Sequence, residues 1–110
     1  MKNLPVINEH GTKRWYKNGL LHRDDGPAVI WSDGEQYWYK EGKLHRDNGP
    51  AVIHPDGKQY WFKNGKLHRD DGPAIIWPNV KNSWYKDDIM YEPSAHDLMV
   101  CKMNERRTLH

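Results

Sequence analysis

The sequence predicts an all-β protein, an elongated single-layer antiparallel sheet of tandem 23-residue β-hairpin repeats closed by a short C-terminal capping helix. Three observations predict it. The string Leu21-His-Arg-Asp-Asp-Gly-Pro-Ala-Val-Ile-Trp31 returns at Leu44 to His54 and at Leu67 to Trp77, so that His22, His45 and His68 stand 23 residues apart. Between these strings a second one keeps the same period: Trp15-Tyr-Lys-Asn-Gly19, Trp38-Tyr-Lys-Glu-Gly42, Trp61-Phe-Lys-Asn-Gly65 and a decayed Trp84-Tyr-Lys-Asp-Asp88. Turn dipeptides recur at fixed places within the period, as Asn18-Gly19, Asp33-Gly34, Asp56-Gly57 and Asn64-Gly65.

The turns convert the period into strands. Asn-Gly and Asp-Gly accept the positive φ of a two-residue hairpin loop, and cross-strand pairs follow by counting outward. Around Asp33-Gly34 this places Trp31 opposite Gln36, Ile30 opposite Tyr37 and Val29 opposite Trp38; around Asp56-Gly57 it places His54 opposite Gln59. Around Glu41-Gly42, Tyr39 faces Leu44 and Trp38 faces His45. Opposed residues share a face and successive residues alternate. One face therefore collects Ala28, Ile30, Tyr37, Tyr39 and Leu44, and the other collects Val29, Trp31, Gln36, Trp38, Lys40 and His45. Pro27, Pro50 and Pro73 lack the N–H of an uninterrupted inner ladder, so a bulge or tight loop is expected at Arg-Asp-Asp/Asn-Gly-Pro.

The array begins with a half repeat, since Pro5-Val6-Ile7 and His10-Gly11 match later units, and it ends near Met90. The expected organisation is a repeat array over residues 1–92 and a tail over residues 93–110. In the tail, Ser94-Ala-His-Asp97 reads as a helix N-cap with an acidic third residue, ahead of Leu98, Met99, Val100, Cys101 and Met103. The expected role of this helix is to cover the last unit, which otherwise exposes an apolar face.

Composition narrows the function classes. A hydrophobic fraction of 36% and a mean hydropathy of −1.06 disfavour one large core, while six Trp and six Tyr are too many for a chain that stays unfolded. No apolar run approaches the ~20 residues that span a bilayer. The opening residues lack the apolar stretch of a signal peptide and Cys101, the single cysteine, cannot form an internal disulfide, so a cytoplasmic location is expected. Seventeen basic and fifteen acidic residues are spread evenly, leaving no basic stripe for nucleic acid and no polybasic cluster for a membrane surface.

The unit resembles the MORN repeat, on Trp61-Phe-Lys-Asn-Gly-Lys-Leu-His68 followed by Gly72-Pro-Ala-Ile-Ile-Trp77, with Asp56-Gly57 as the later Pro-Asp-Gly turn. The form Leu-His-Arg-Asp-x-Gly-Pro-Ala is similar to a variant found in bacteriophage, large-virus and some bacterial proteins. The resemblance spans Pro5 to about Tyr91. It implies an elongated sheet used in protein–protein contact, dimerisation or lipid contact, and a phage origin would place it in the host cytoplasm against a host defence factor. The usual MORN unit has a shorter Gly-rich turn where this chain has His-Arg-Asp-Asp/Asn-Gly-Pro.

Three constellations invite a chemical reading. His-Arg-Asp at His22, His45 and His68 echoes the catalytic loop of protein kinases, but a Gly-rich phosphate loop is missing and the triplet occurs three times. The His column beside Asp24, Asp25, Asp47, Asp70 and Asp71 has metal-ligand chemistry, yet translation-related copies do not converge on one ion. The expected role is structural: Asp accepts turn N–H groups, Arg23, Arg46 and Arg69 pair with Asp of neighbouring units, and His packs beside Trp. Trp15, Trp38, Trp61 and Trp84 are invariant within the chain and are expected to pack. The varying column Trp31, His54 and Trp77, with Gln36 and Gln59 on the same expected face, forms the candidate binding surface, because Trp is enriched among interface hot spots. No catalytic residue, metal ligand or cofactor is expected. The expected function is a non-enzymatic protein-binding module, with a self-assembling element or homodimer as the alternative.

Overall fold

The computed structural model describes residues 4–108, with side chains through Asn104; residues 1–3 and 109–110 of the two expected segments lie outside the described residues. It is an antiparallel hairpin array with one C-terminal helix, 47 × 28 × 26 Å in extent. In chain order the strands are β1 (Val6–Ile7), β2 (Lys13–Arg14), β3 (Tyr16–Lys17), β4 (Leu20–Leu21), β5 (Val29–Ile30), β6 (Gln36–Tyr37), β7 (Tyr39–Lys40), β8 (Lys43–Leu44) and β9 (Val52–Ile53). They continue as β10 (Gln59–Tyr60), β11 (Phe62–Lys63), β12 (Lys66–Leu67), β13 (Ile75–Ile76), β14 (Tyr85–Lys86) and β15 (Ile89–Met90), followed by α1 (Ala95–Thr108).

Each unit feeds two columns. β1, β2, β5, β6, β9, β10 and β13 lie side by side in one seven-stranded meander, while β3–β4, β7–β8, β11–β12 and β14–β15 form separate small hairpins. The column of Trp15, Trp38, Trp61 and Trp84 marks the crossing between the two: Trp15, Trp38 and Trp61 donate their N–H to Ala28, Ala51 and Ala74 of the meander, at 2.7–2.8 Å. Those three alanines are fully buried, and Val29, Val52 and Ile75 beside them form the rest of the meander's core with Trp15 and Trp84 at its ends. The core is thin and repetitive, in keeping with the low mean hydropathy.

The small hairpins have the expected register. Tyr39 pairs with Leu44 and Lys40 with Lys43, and both turn residues take positive φ, 51° at Glu41 and 82° at Gly42. Asp87 and Asp88 keep the same turn at 49° and 67° without a glycine. The meander hairpins differ from expectation by one residue. Val29 pairs with Tyr37 and Ile30 with Gln36, and Trp31 stands opposite Glu35, giving and accepting backbone bonds with Glu35 and Gly34 at 2.9 Å. The loop is Ser32-Asp33-Gly34, in which only Gly34 takes positive φ, at 98°. It is the three-residue hairpin built on a type I turn followed by a left-handed glycine. Asp33 Oδ1 accepts the N–H of Glu35, which holds the aspartate outside the left-handed region that a two-residue turn demands. His54, Pro55, Asp56, Gly57 and Lys58 repeat this geometry.

α1 begins as expected. Ser94 Oγ accepts the N–H of Asp97, and Asp97 Oδ2 accepts the N–H of Ser94, a reciprocal cap. Asn104 of the helix donates to Asp71 of the third unit and Cys101 is buried, while Ile89 and Met90 at the tip of β15 stay exposed. The bonds to the Ser94 backbone and hydroxyl hold the Asp97 carboxyl below its ordinary range. A lowered carboxylate stabilises the fold above its unfolded pKa, about 3.9, and that contribution disappears as pH falls through the lowered native value. Helical ellipticity should therefore hold from neutral pH down to about pH 4 and fall below it. In Asp97→Asn it should be reduced already at neutral pH.

Candidate functional site

The His-Arg-Asp-x-Gly-Pro segment forms a clamp between units. The Nδ1 atoms of His22, His45 and His68 accept the backbone N–H of Glu41, Asn64 and Asp87 in the following hairpin, at 2.9, 3.0 and 3.2 Å. Their Nε2 atoms meet Asp24, Asp47 and Asp70 at 2.8 Å. A neutral ring protonated on Nε2 satisfies both contacts, so each imidazole has its two nitrogens committed to the fold. The hydrogen bonds from His22 and His45 hold the carboxyls of Asp24 and Asp47 below their ordinary range.

The arginines lie over the tryptophan rings. Arg23, Arg46 and Arg69 place their guanidinium carbons 3.9, 4.0 and 3.9 Å from the ring centroids of Trp15, Trp38 and Trp61. Nη1 of each donates to the carbonyl of Pro27, Pro50 or Pro73. Gly26, Gly49 and Gly72 close the other side: a methyl group there would stand 3.0, 2.8 and 2.6 Å from the guanidinium carbon. The glycine of the motif is thus a space for arginine. Arg23 and Arg69 pair through Nε with Asp25 and Asp71 of their own unit, not of a neighbour as expected from sequence, because the stack on Trp fixes the guanidinium before it reaches the next repeat. The turn N–H groups are accepted by Asn8, Asp33 and Asp56, and the aspartates of the clamp serve histidine and arginine instead. Among the described residues no three His, Cys, Asp or Glu side chains gather as a metal site.

His45→Ala should leave the Asn64 N–H without its acceptor and cost about 1 kcal/mol, read as a lower melting temperature with no change in metal content. A stoichiometric metal in the purified parent that is lost in this variant would contradict the assignment of a structural clamp.

The second constellation lies on the meander. Five rings run across its strands in edge-to-face contact: Trp31 to Tyr37 at 6.4 Å, Tyr37 to His54 at 6.4 Å, His54 to Tyr60 at 5.7 Å and Tyr60 to Trp77 at 6.1 Å. Cations mark its two ends, with the Arg14 guanidinium 5.2 Å from the Trp31 ring and the Lys58 ammonium 5.6 Å from the Trp77 ring. Near the middle, Glu35 Oε1 lies 2.7 Å from His54 Nδ1. Burial, and next Glu35, push the Tyr37 phenol above its ordinary range. Trp31 is the most open ring, 39% exposed, and the other four are half-buried.

Of the five site residues named from sequence, the structure brings Trp31, His54 and Trp77 onto this strip and moves Gln36 and Gln59 off it. Gln36 pairs with Ile30 and Ile53, and Gln59 with Ile53 and Ile76, on the opposite face. The cause is the three-residue loop, since a register shift of one residue exchanges the faces of a strand. For the same reason Tyr37, expected on the apolar face, belongs to the strip, and Tyr60 joins it one period later. Pro55 carried the missing signal: proline suits the first corner of a type I turn, so Pro55-Asp56-Gly57 reads as a three-residue loop.

No protein-family model, curated protein or solved structure matches this chain. Among the described residues, no helix is long and apolar enough to cross a membrane.

Proposed function

We propose that the chain is a non-enzymatic, MORN-like protein-binding module whose partner meets the strip Trp31–Tyr37–His54–Tyr60–Trp77. The observation that carries this reading is the continuous run of five rings across the meander, partly open and bracketed by Arg14 and Lys58. Aromatic rings flanked by cationic and polar side chains have the composition of a contact patch with a polar rim. Rings already held by their neighbours lose little conformational freedom on contact. A protein is favoured over nucleic acid because the strip alternates cations with Glu35 and has no continuous basic path. The commitment of both nitrogens in His22, His45 and His68 supports a reading without catalysis by these residues. The phage resemblance extends the proposal to a host factor as partner, met in the host cytoplasm.

The test is affinity capture from host extract with three baits: the parent, Trp31→Ala/Trp77→Ala, and Gln36→Ala/Gln59→Ala. A partner held by the parent and the glutamine variant, and lost by the tryptophan variant, is the expected outcome. Equal capture by all three baits would count against the strip. Homo-oligomerisation is a second reading, favoured by apolar residues exposed at both ends of the array, Val6 and Ile7 at one and Ile89 and Met90 at the other.

A further inference from the structure

We infer that the two ends of the array are complementary, so that a second copy of this chain docks head to tail on the first and continues the repeat. This inference deepens the homo-oligomer reading and is independent of the aromatic strip.

The meander alternates two strand types. Strands of the Val-Ile type, β5 and β9, each lie between two strands of the other type. β13 is flanked by β10 and by Ser83, which exchanges backbone bonds with Ile75 at 3.0 and 3.1 Å. β1 has β2 on one side and no strand on the other among the described residues. At the opposite end, Asn82 and Ser83 occupy the place of Gln36-Tyr37 and Gln59-Tyr60 one period later, and their outer flank carries no strand among the described residues. Across each internal junction the pairing is the same: Lys13 with Ile30 and Arg14 with Val29, Gln36 with Ile53 and Tyr37 with Val52, Gln59 with Ile76 and Tyr60 with Ile75. One further step sets Asn82 and Ser83 against Ile7 and Val6 of a second copy. Val6 is 61% exposed.

The hairpin column gives the same register independently. Gly42 donates to the Leu21 carbonyl and Gly65 to the Leu44 carbonyl at 2.8 Å, and Asp88 donates to the Leu67 carbonyl at 2.9 Å. The next acceptor in this series is Met90, and the next donor is Gly19 of a second copy. Leu20 packs on Gly42, closing the space where a methyl group would sit at 3.4 Å, whereas no described residue comes within 4 Å of the corresponding space at Gly19. Ile89 stands in the place of Leu20 three periods on, and 71% of it is exposed. It is the side chain that would cover Gly19 of the second copy. Among the described residues α1 reaches Asp71 through Asn104, and Ile89 and Met90 at this end stay exposed. Contact between unlike ends does not close on itself, so the product is a short linear series rather than a fixed dimer.

The experiment is light scattering on the whole chain over a concentration series. Val6→Glu/Ile7→Glu blocks the first end and Ile89→Glu/Met90→Glu blocks the second. The parent should rise in mass above 13.1 kDa with concentration, each blocked variant alone should stay monomeric, and an equal mixture of the two should form dimers and nothing larger. Trp31→Ala/Trp77→Ala should associate like the parent, which separates this inference from the aromatic strip. A parent still monomeric at about 1 mM, a second-end variant that dimerises by itself through β1, or a mixture that stays monomeric would each overturn it. Thermal melts accompany every variant. If a double-Glu variant melts early, Ile7→Thr and Ile89→Gln take its place in the same mixing scheme, with the same outcomes deciding.

Discussion

Trp38→Ala should be among the most damaging single changes in the array, lowering stability by about 3 kcal/mol or more, in the range of large aromatic truncations in cores. Trp38 sits where the chain leaves the meander for the small hairpin. Its N–H donates to Ala51 at 2.7 Å, its carbonyl accepts from His45 at 3.0 Å, and its ring covers the Arg46 guanidinium. Removing the ring takes away buried area and leaves Arg46 half-buried without its π partner. Because each unit contacts mainly its neighbours, the loss should lower the melting of the whole short array rather than of one hairpin. A melting temperature within a degree or two of the parent would show that the Trp column does not carry the packing.

Ala51→Leu tests the same junction from the other side and should cost about 3 kcal/mol, the upper part of the range for overpacked cores. Ala51 has no exposed surface, and its backbone is held on both flanks, donating to Tyr60 at 2.8 Å and accepting from Trp38. Three added carbons have no space to enter without parting the meander from the Trp column. Ala28 and Ala74 stand in the same position in the neighbouring units, so the three equivalent changes should give similar losses. A Leu tolerated without a drop in denaturation midpoint would contradict this tight apposition.

How far the sequence reveals the fold depends on where each residue's partner lies. The small hairpins were legible because a two-residue loop requires positive φ at both positions, and Asn18-Gly19 and Asn64-Gly65 state that requirement locally. The helix start was legible because Ser94 and Asp97 cap within one turn. The meander register was misread because Asp33-Gly34 looks like the same loop, while the Asp33 side chain instead bonds to its own turn and recruits Ser32 into it. That one residue moved Gln36 and Gln59 to the other face and brought Tyr37 and Tyr60 to the strip.

The clamp was less legible still. The partner of His22 Nδ1 is the backbone N–H of Glu41, 19 residues away, and a backbone donor leaves no mark in residue identity. The Arg–Trp stacks were hidden by an acidic neighbour that made an ion pair the natural reading. The clue was Gly26, Gly49 and Gly72 within three residues of each arginine, none needing positive φ and so present for space.

The measurement that tests the binding account most directly is a titration of the captured partner against the parent and against Trp31→Ala/Trp77→Ala, with thermal melts of both proteins. The double variant should lose more than about 2 kcal/mol in binding, roughly 30-fold in Kd, with its melting temperature nearly unchanged. A double variant that binds as tightly as the parent, or that unfolds before binding weakens, would contradict the assignment of the aromatic strip as the partner's surface.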